Sequence, residues 1–190
     1  MSPTSKTCWK NLEYFVRDLI GGTLQYAQSA KFYVRKEKLA LGDVRSTKVL
    51  AECKLRDYAT KKFRKEHPAK PYKSFNIEFK WWEQLVQECA DINKDENINR
   101  IPVLFCKPKF GREEHILVVI DGEDWMRWMQ KINMCFRWPT TPIKQNNKSI
   151  IINYFETIPK VTSINDKKVF IMNINMFNFA KSQWYQQEEP

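Results

Sequence analysis

Asp43 and the triplet Glu52-Cys53-Lys54 have the residue types and spacing best suited to chemistry in this 190-residue chain. Successive side chains on a strand alternate faces. Glu52 and Lys54 therefore project together, Leu50 continues their face, and Ala51 and Cys53 point the other way. Eight residues separate Asp43 from Glu52. A short turn through Ser46-Thr47-Lys48 lays the two segments side by side and brings both carboxylates to one metal ion. Two carboxylates hold Mg²⁺ through hard oxygens and leave positions for water and a phosphate. The backbone carbonyl of Cys53 offers a further oxygen, with its thiol pointing away. A metal held this way lowers the pKa of bound water, and a neighbouring ammonium orients that water or stabilises the phosphorane. The chemistry that fits is metal-assisted phosphodiester hydrolysis. A bare ExK on a strand more often marks a solvated, salt-bridged face. Here the triplet ends an apolar strand, an Asp just after Gly42 lies at short range, and a basic segment follows.

Several elements must position these groups. Trp9, Leu12, Phe15, Val16 and Leu19 recur at helical spacing and predict a helix over residues 8–20, ended by Gly21-Gly22. Extended stretches are expected around 24–30 and 31–35, and strands at 43–45 and 49–54. Residues 55–74 read as a basic loop, or a short helix plus loop, broken by Pro68 and Pro71. A helix is predicted over 78–93, with the pair Trp81-Trp82 read as core although only one of them need be buried, and a polar turn over 95–100. The apolar runs 101–107 and 116–120 fit central strands buried on both faces and joined as a hairpin. A helix over 121–132 turns Trp125, Trp128, Met129 and Ile132 inward. Composition shifts after Pro139 and Pro142. That divides the chain into a core of residues 1–138 and a β-rich extension of 139–190, whose strands 149–155 and 169–177 are expected to pair as a hairpin. The last residues, 186–190, read as frayed. The order suggests an α/β fold, a mixed sheet flanked by helices.

Lys and Arg total 32 against 22 for Asp and Glu, a net charge of +10, which favours a polyanion such as nucleic acid over a merely soluble basic surface. In the basic segment Lys61, Lys62, Arg64 and Lys65, with Phe63 and Tyr72 interleaved, are placed to track phosphates and stack on bases. The five cysteines form no CxxC pair, so neither a zinc site nor a disulfide framework is expected. Without a secretory leader, reduced thiols in a cytosolic-type compartment are the expectation. No apolar run approaches membrane-spanning length. His67 and His115 lack ligand spacing. With only five Gly and no Gly-rich phosphate loop, no nucleotide cofactor is expected.

The series of an early helix with Glu13, Gly42-Asp43, Glu52-Cys53-Lys54, a helix and the IPVLFCK strand resembles the PD-(D/E)XK nuclease superfamily. Within it the order is most similar to archaeal-type Holliday-junction resolvases and related phage endonucleases. The resemblance covers about residues 6–132. It implies a restriction-endonuclease-like core and a structure-selective DNA endonuclease that uses Mg²⁺ or Mn²⁺. Asp43 and Glu52 would be metal ligands, Lys54 catalytic, and Glu13 the acidic residue of the first helix. Glu13 has the alternative of pairing with Arg17 one turn on. The resemblance also implies backbone contacts to branched or duplex DNA from Arg17, Arg35 and Lys36, and a homodimer making paired nicks. Gly42 stands where the motif has Pro. The basic stretch of 55–74 is longer than in compact resolvases, and the segment after 140 matches no part of the family pattern. Other readings are a non-catalytic nucleic-acid-binding module on the same scaffold, or a restriction-type or RNA-directed nuclease.

Overall fold

The computed structural model describes residues 5–25, 42–56, 61–68, 74–109, 111–131, 144–153 and 160–186. Among these, α1 (Ser5–Ile20) leads into β1 (Thr23–Leu24), and β2 (Val44–Arg45) turns into β3 (Val49–Arg56). Then follow α2 (Lys61–Glu66), β4 (Ser74–Glu78), α3 (Phe79–Glu96), β5 (Ile101–Pro108), β6 (Leu117–Asp121) and α4 (Gly122–Lys131). The remaining elements are β7 (Lys144–Asn146), β8 (Ser149–Asn153), β9 (Lys160–Ile164), β10 (Lys167–Asn173) and α5 (Ile174–Gln186).

The central sheet has seven strands in the order β1-β2-β3-β5-β6-β10-β9 and is mixed: β3 and β5 run parallel, every other pair antiparallel. A parallel neighbour needs a crossover, and α3 supplies it. The near-continuous apolar strands β5 and β6 are buried on both faces, as their composition requires. One face packs Ala51, Cys53, Phe105 and Val118 against Leu12 and Val16 of α1, Trp125 of α4 and Phe177 of α5. The other packs Leu50, Leu104, Val119 and Ile171 against Trp82, Leu85 and Cys89 of α3 and against a second sheet, β4-β8-β7. No helix among the described residues is long and apolar enough to cross a membrane.

Several expectations need correction. The stretch 169–177 is a strand only to Asn173; its side chain then accepts the Met176 N–H at 2.9 Å, and α5 begins, burying Ile174, Phe177 and Ala180 at helical spacing. The two late strands do not pair with each other: β8 lies between β4 and β7, and β10 between β6 and β9. What pairs with β10 is β9, through the two-residue turn Asn165-Asp166, both at positive φ as in a type I′ turn. The strand β4 was not anticipated, although its alternation buries Phe75 and Ile77. Trp81 and Trp82 are both buried in the core, where burial of one would have sufficed. The predicted stretches at 26–35 and residues Ile132 and 187–190 lie outside the described residues. Cys53, Cys89 and Cys106 are free, buried thiols; Cys135 and the Cys8 side chain lie outside the description.

The Phe177 ring meets Phe105 edge-on at 5.4 Å and lies 5.8 Å from Trp128, tying the last helix to the same core as β3. Phe177→Ala is expected to lower stability by about 3–5 kcal/mol in urea unfolding. A loss under about 1 kcal/mol would mean that α5 is peripheral.

Candidate active site

The β2–β3 hairpin decides what meets what. Ser46 closes its turn: its N–H donates to Val49 O at 2.9 Å, and its Oγ accepts the Val49 N–H at 3.0 Å. Pairing sets Val44 opposite Ala51 and Arg45 opposite Leu50. Asp43 just precedes the paired residues, and its N–H donates at 2.9 Å to Ala51 O, on the residue opposite Val44. The Cys53 N–H donates to Asp43 Oδ2 at 2.6 Å. That bond holds the Asp43 carboxylate beside the triplet, and Lys54 donates directly to Glu52 Oε1.

Gly42 explains why this site carries Gly-Asp where the motif has Pro-Asp. Its φ is +72°, and a Cβ would fall 2.9 Å from Leu50 Cδ1 and 3.2 Å from Ala51 O. Its N–H donates to Glu88 Oε2 of α3 at 3.1 Å. Proline offers neither the dihedral nor the donor. Glu88 is in turn held by Gln84 Nε2 at 2.7 Å. The other end of the hairpin is fixed by Glu96 of α3, 2.5 Å from Arg45 and 2.9 Å from the buried Arg100, whose Nε donates to Ser46 O at 2.6 Å.

Along β3 the side chains of one face emerge gradually, with exposures of 13% for Glu52, 23% for Lys54 and 45% for Arg56. Burial sets the protonation equilibria. Asp43 is pushed up to about 8 by burial and then by the charge of Glu52, with the Cys53 N–H opposing. Glu52 is raised by burial and Glu88, against the pull of Lys54. Glu13 is raised by burial and by Glu52, with Lys10 opposing. Lys54 loses some basicity to burial, but Glu52 and Asp43 more than restore it and hold the ammonium charged. The Cys53 thiol is fully buried and pushed well above its ordinary value. Three acids, Glu13 of α1, Asp43 just before β2 and Glu52 of β3, thus share one field, with Glu88 acting on Glu52, inside a chain of net charge +10. A surplus of desolvated carboxylates suits a divalent cation. Among the described residues no three His, Cys, Asp or Glu side chains form a group that could hold a metal. The donor set fits an ion bound by two carboxylates, with water and phosphate completing its shell, as Mg²⁺ favours over an all-protein cage.

The expected nucleic-acid contacts fare differently. Arg17 pairs with Asp18 at 2.6 Å and lies over the Tyr14 ring at 5.1 Å, so its guanidinium serves its own helix, not Glu13. Lys62 and Lys65 are exposed on α2. The side chains of Lys61 and Arg64, and all of Arg35 and Lys36, lie outside the described residues. Sequence reading missed Glu88 and Arg56. The first sits beside the buried Cys89 at the edge of the α3 stripe, and the second simply continues the 52, 54 alternation. Comparison with protein-family models, with curated proteins and with solved structures finds no match.

Because Asp43 keeps its proton in the fold to about pH 8, against 3.8 ordinarily, its contribution to stability is full below about pH 4 and is lost as pH rises toward 8. The metal-free protein is expected to melt at higher temperature at pH 5 than at pH 8, and Asp43→Asn to flatten that slope. An unchanged slope in the variant would locate the titration elsewhere. For Gly42, alanine should cost at least about 1–2 kcal/mol from the left-handed backbone alone and proline clearly more, measured by chemical denaturation; equal losses would contradict the role of the Gly42 N–H.

Proposed function

We propose that the chain is a divalent-metal-dependent DNA endonuclease. The observation that carries this reading is the bond from the Cys53 N–H to the Asp43 carboxylate, which holds Asp43 beside a triplet whose Lys54 is bonded to Glu52. Asp43 and Glu52 would hold Mg²⁺ or Mn²⁺, with the Cys53 carbonyl as a further hard oxygen. Such an ion supplies Lewis acidity and a water of lowered pKa. The protein's own part is positioning. The Cys53 N–H orients the Asp43 carboxylate. Lys54, kept charged by Glu52, would supply an ammonium to a non-bridging phosphate oxygen or to the attacking water. Glu13 adds a third carboxylate to the same field.

The order of elements supports the finer fold reading as well. A helix, an antiparallel β1-β2-β3 unit, and a helix crossing to β5 parallel to β3 is the arrangement expected of a restriction-endonuclease-like core. The net charge of +10 supports a polyanionic substrate. Preference for four-way junctions, and the homodimer that goes with it, rests on the resemblance to junction resolvases. A second reading, a binding module without catalysis, draws on the lack of a three-member metal group among the described residues.

Labelled four-way junction, linear duplex and single strand, each incubated with Mg²⁺ or Mn²⁺, separate the two. Cleavage is expected with metal and not with chelator. Asp43→Asn and Glu52→Gln should abolish it, and Lys54→Ala should slow it by about 10²–10³-fold. Binding without cleavage of any substrate would support the second reading, and cleavage by Asp43→Asn at the wild-type rate would overturn the first.

A further inference from the structure

Beyond Lys54 the same face of β3 reaches Arg56, and there the surface opens into a groove of about 1030 Å³. The groove is lined from three directions: the β4–α3 junction, the tip of the β7–β8 hairpin, and Asn165 in the β9–β10 turn. Its chemistry differs from that of a phosphate track. Glu78 takes both nearby cations, Arg56 at 2.9 Å and Lys80 at 2.8 Å, and Arg56 also lies 4.7 Å over the Trp81 ring. Glu83, a second lining carboxylate, is bonded to Asn165. Cations neutralised in place release few counterions and gain little from phosphates. What the groove offers is directional: the Asn147 amide beside Lys148 at its lip, where Asn146 is committed to the turn and Asn165 to Glu83. Such groups match base edges, with amides suited to adenine, Lys or Arg to guanine, and Glu to cytosine.

The hairpin tip presents those groups outward: β7 is an edge strand of the second sheet, and residues 144–148 are all exposed and polar. The tip is rigid. Asn146 Oδ1 accepts the N–H groups of Lys148 and Ser149 at 2.9 Å each, and the Phe79 N–H donates to Lys148 O at 2.9 Å. Ile150 and Ile152 are buried against α3.

We propose that this groove is a base-reading site for duplex DNA, with Asn147 and Lys148 contacting base edges in the major groove; the inference rests on the nuclease reading above. At about 3.3 Å per residue, Arg56 lies roughly 7 Å beyond Lys54 and 13 Å beyond Glu52. For a duplex lying along β3, at about 3.4 Å per base pair, the bases read are roughly two to four pairs from the attacked phosphate.

Two measurements test it. In the first, wild-type protein with Mg²⁺ cuts a randomised duplex pool and the ends are sequenced. In the second, Asp43→Asn protein selects binders from the same pool without cutting. A base preference roughly two to four pairs from the cut is expected. Asn147→Ala and Lys148→Ala should each reduce that preference about tenfold at one or two positions. Both residues are exposed and neither has positive φ, so both variants should melt as wild type does. Random ends and random binders, or a uniform fall in affinity across all sequences in both variants, would overturn the inference while cleavage still stands. Should no DNA be cut, a preference among the Asp43→Asn binders that Asn147→Ala removes would keep the groove and discard the nuclease.

Discussion

The parallel pairing of β3 with β5 is the constraint on which the rest depends. It runs through eight residue pairs, from Val49 opposite Ile101 to Arg56 opposite Pro108. No tight turn can join parallel neighbours, so α3, 18 residues and about 27 Å long, must carry the chain back and cover one face. The other face then falls to α1. The return is locked where β5 begins: the Asn93 amide donates to Arg100 O at 2.7 Å and accepts the Arg100 N–H at 2.9 Å, and the Ile101 N–H donates to Lys48 O at 2.9 Å. With both faces covered, a polar side chain on β3 is desolvated unless it lies near the strand's open end. Glu52 and Lys54 occupy that transition, and this is why their environment is neither core nor surface.

The acidic cluster follows from the same geometry. Glu13 of α1, Asp43 just before β2 and Glu52 of β3 share one field because three elements converge on one strand end, not because they are near in sequence. Their mutual repulsion is tolerated through fixed partners: a backbone N–H for Asp43, an ammonium for Glu52, and the Gln84 amide and Gly42 N–H for Glu88. Most of these partners come from the hairpin itself or from α3, so the helix that makes the parallel crossover also shapes the field at the site.

Much of this was legible in the sequence where a period was clean. Alternation along 49–54 gave β3 and the shared face of Glu52 and Lys54, and the apolar runs gave β5 and β6. That Asp43 returns beside the triplet follows from counting through a short turn. Less legible was anything decided by tertiary contact. Asn173 ends a strand and caps a helix in one residue, so a run rich in Ile, Met and Phe read as strand throughout. β4 is five residues long and abuts a helix with no intervening turn, so no punctuation marks it. Gly42 looked like a departure from a motif; only its φ and the nearness of Leu50 and Glu88 show what glycine does there.

The strand order also dictates when the molecule can be completed. β6 lies in the interior of the sheet, yet its outer neighbour β10 comes from residues 167–173. A chain growing from its N-terminus has α1, β3, α3 and β5 available long before then, so the pairing that frames Asp43 and Glu52 can form early. Throughout that interval β6 presents an apolar, unpaired edge, the kind of surface that recruits other chains. The last elements are therefore the closure that ends this exposure during synthesis, and a chain released before them would keep the site's framework while carrying an open sheet edge.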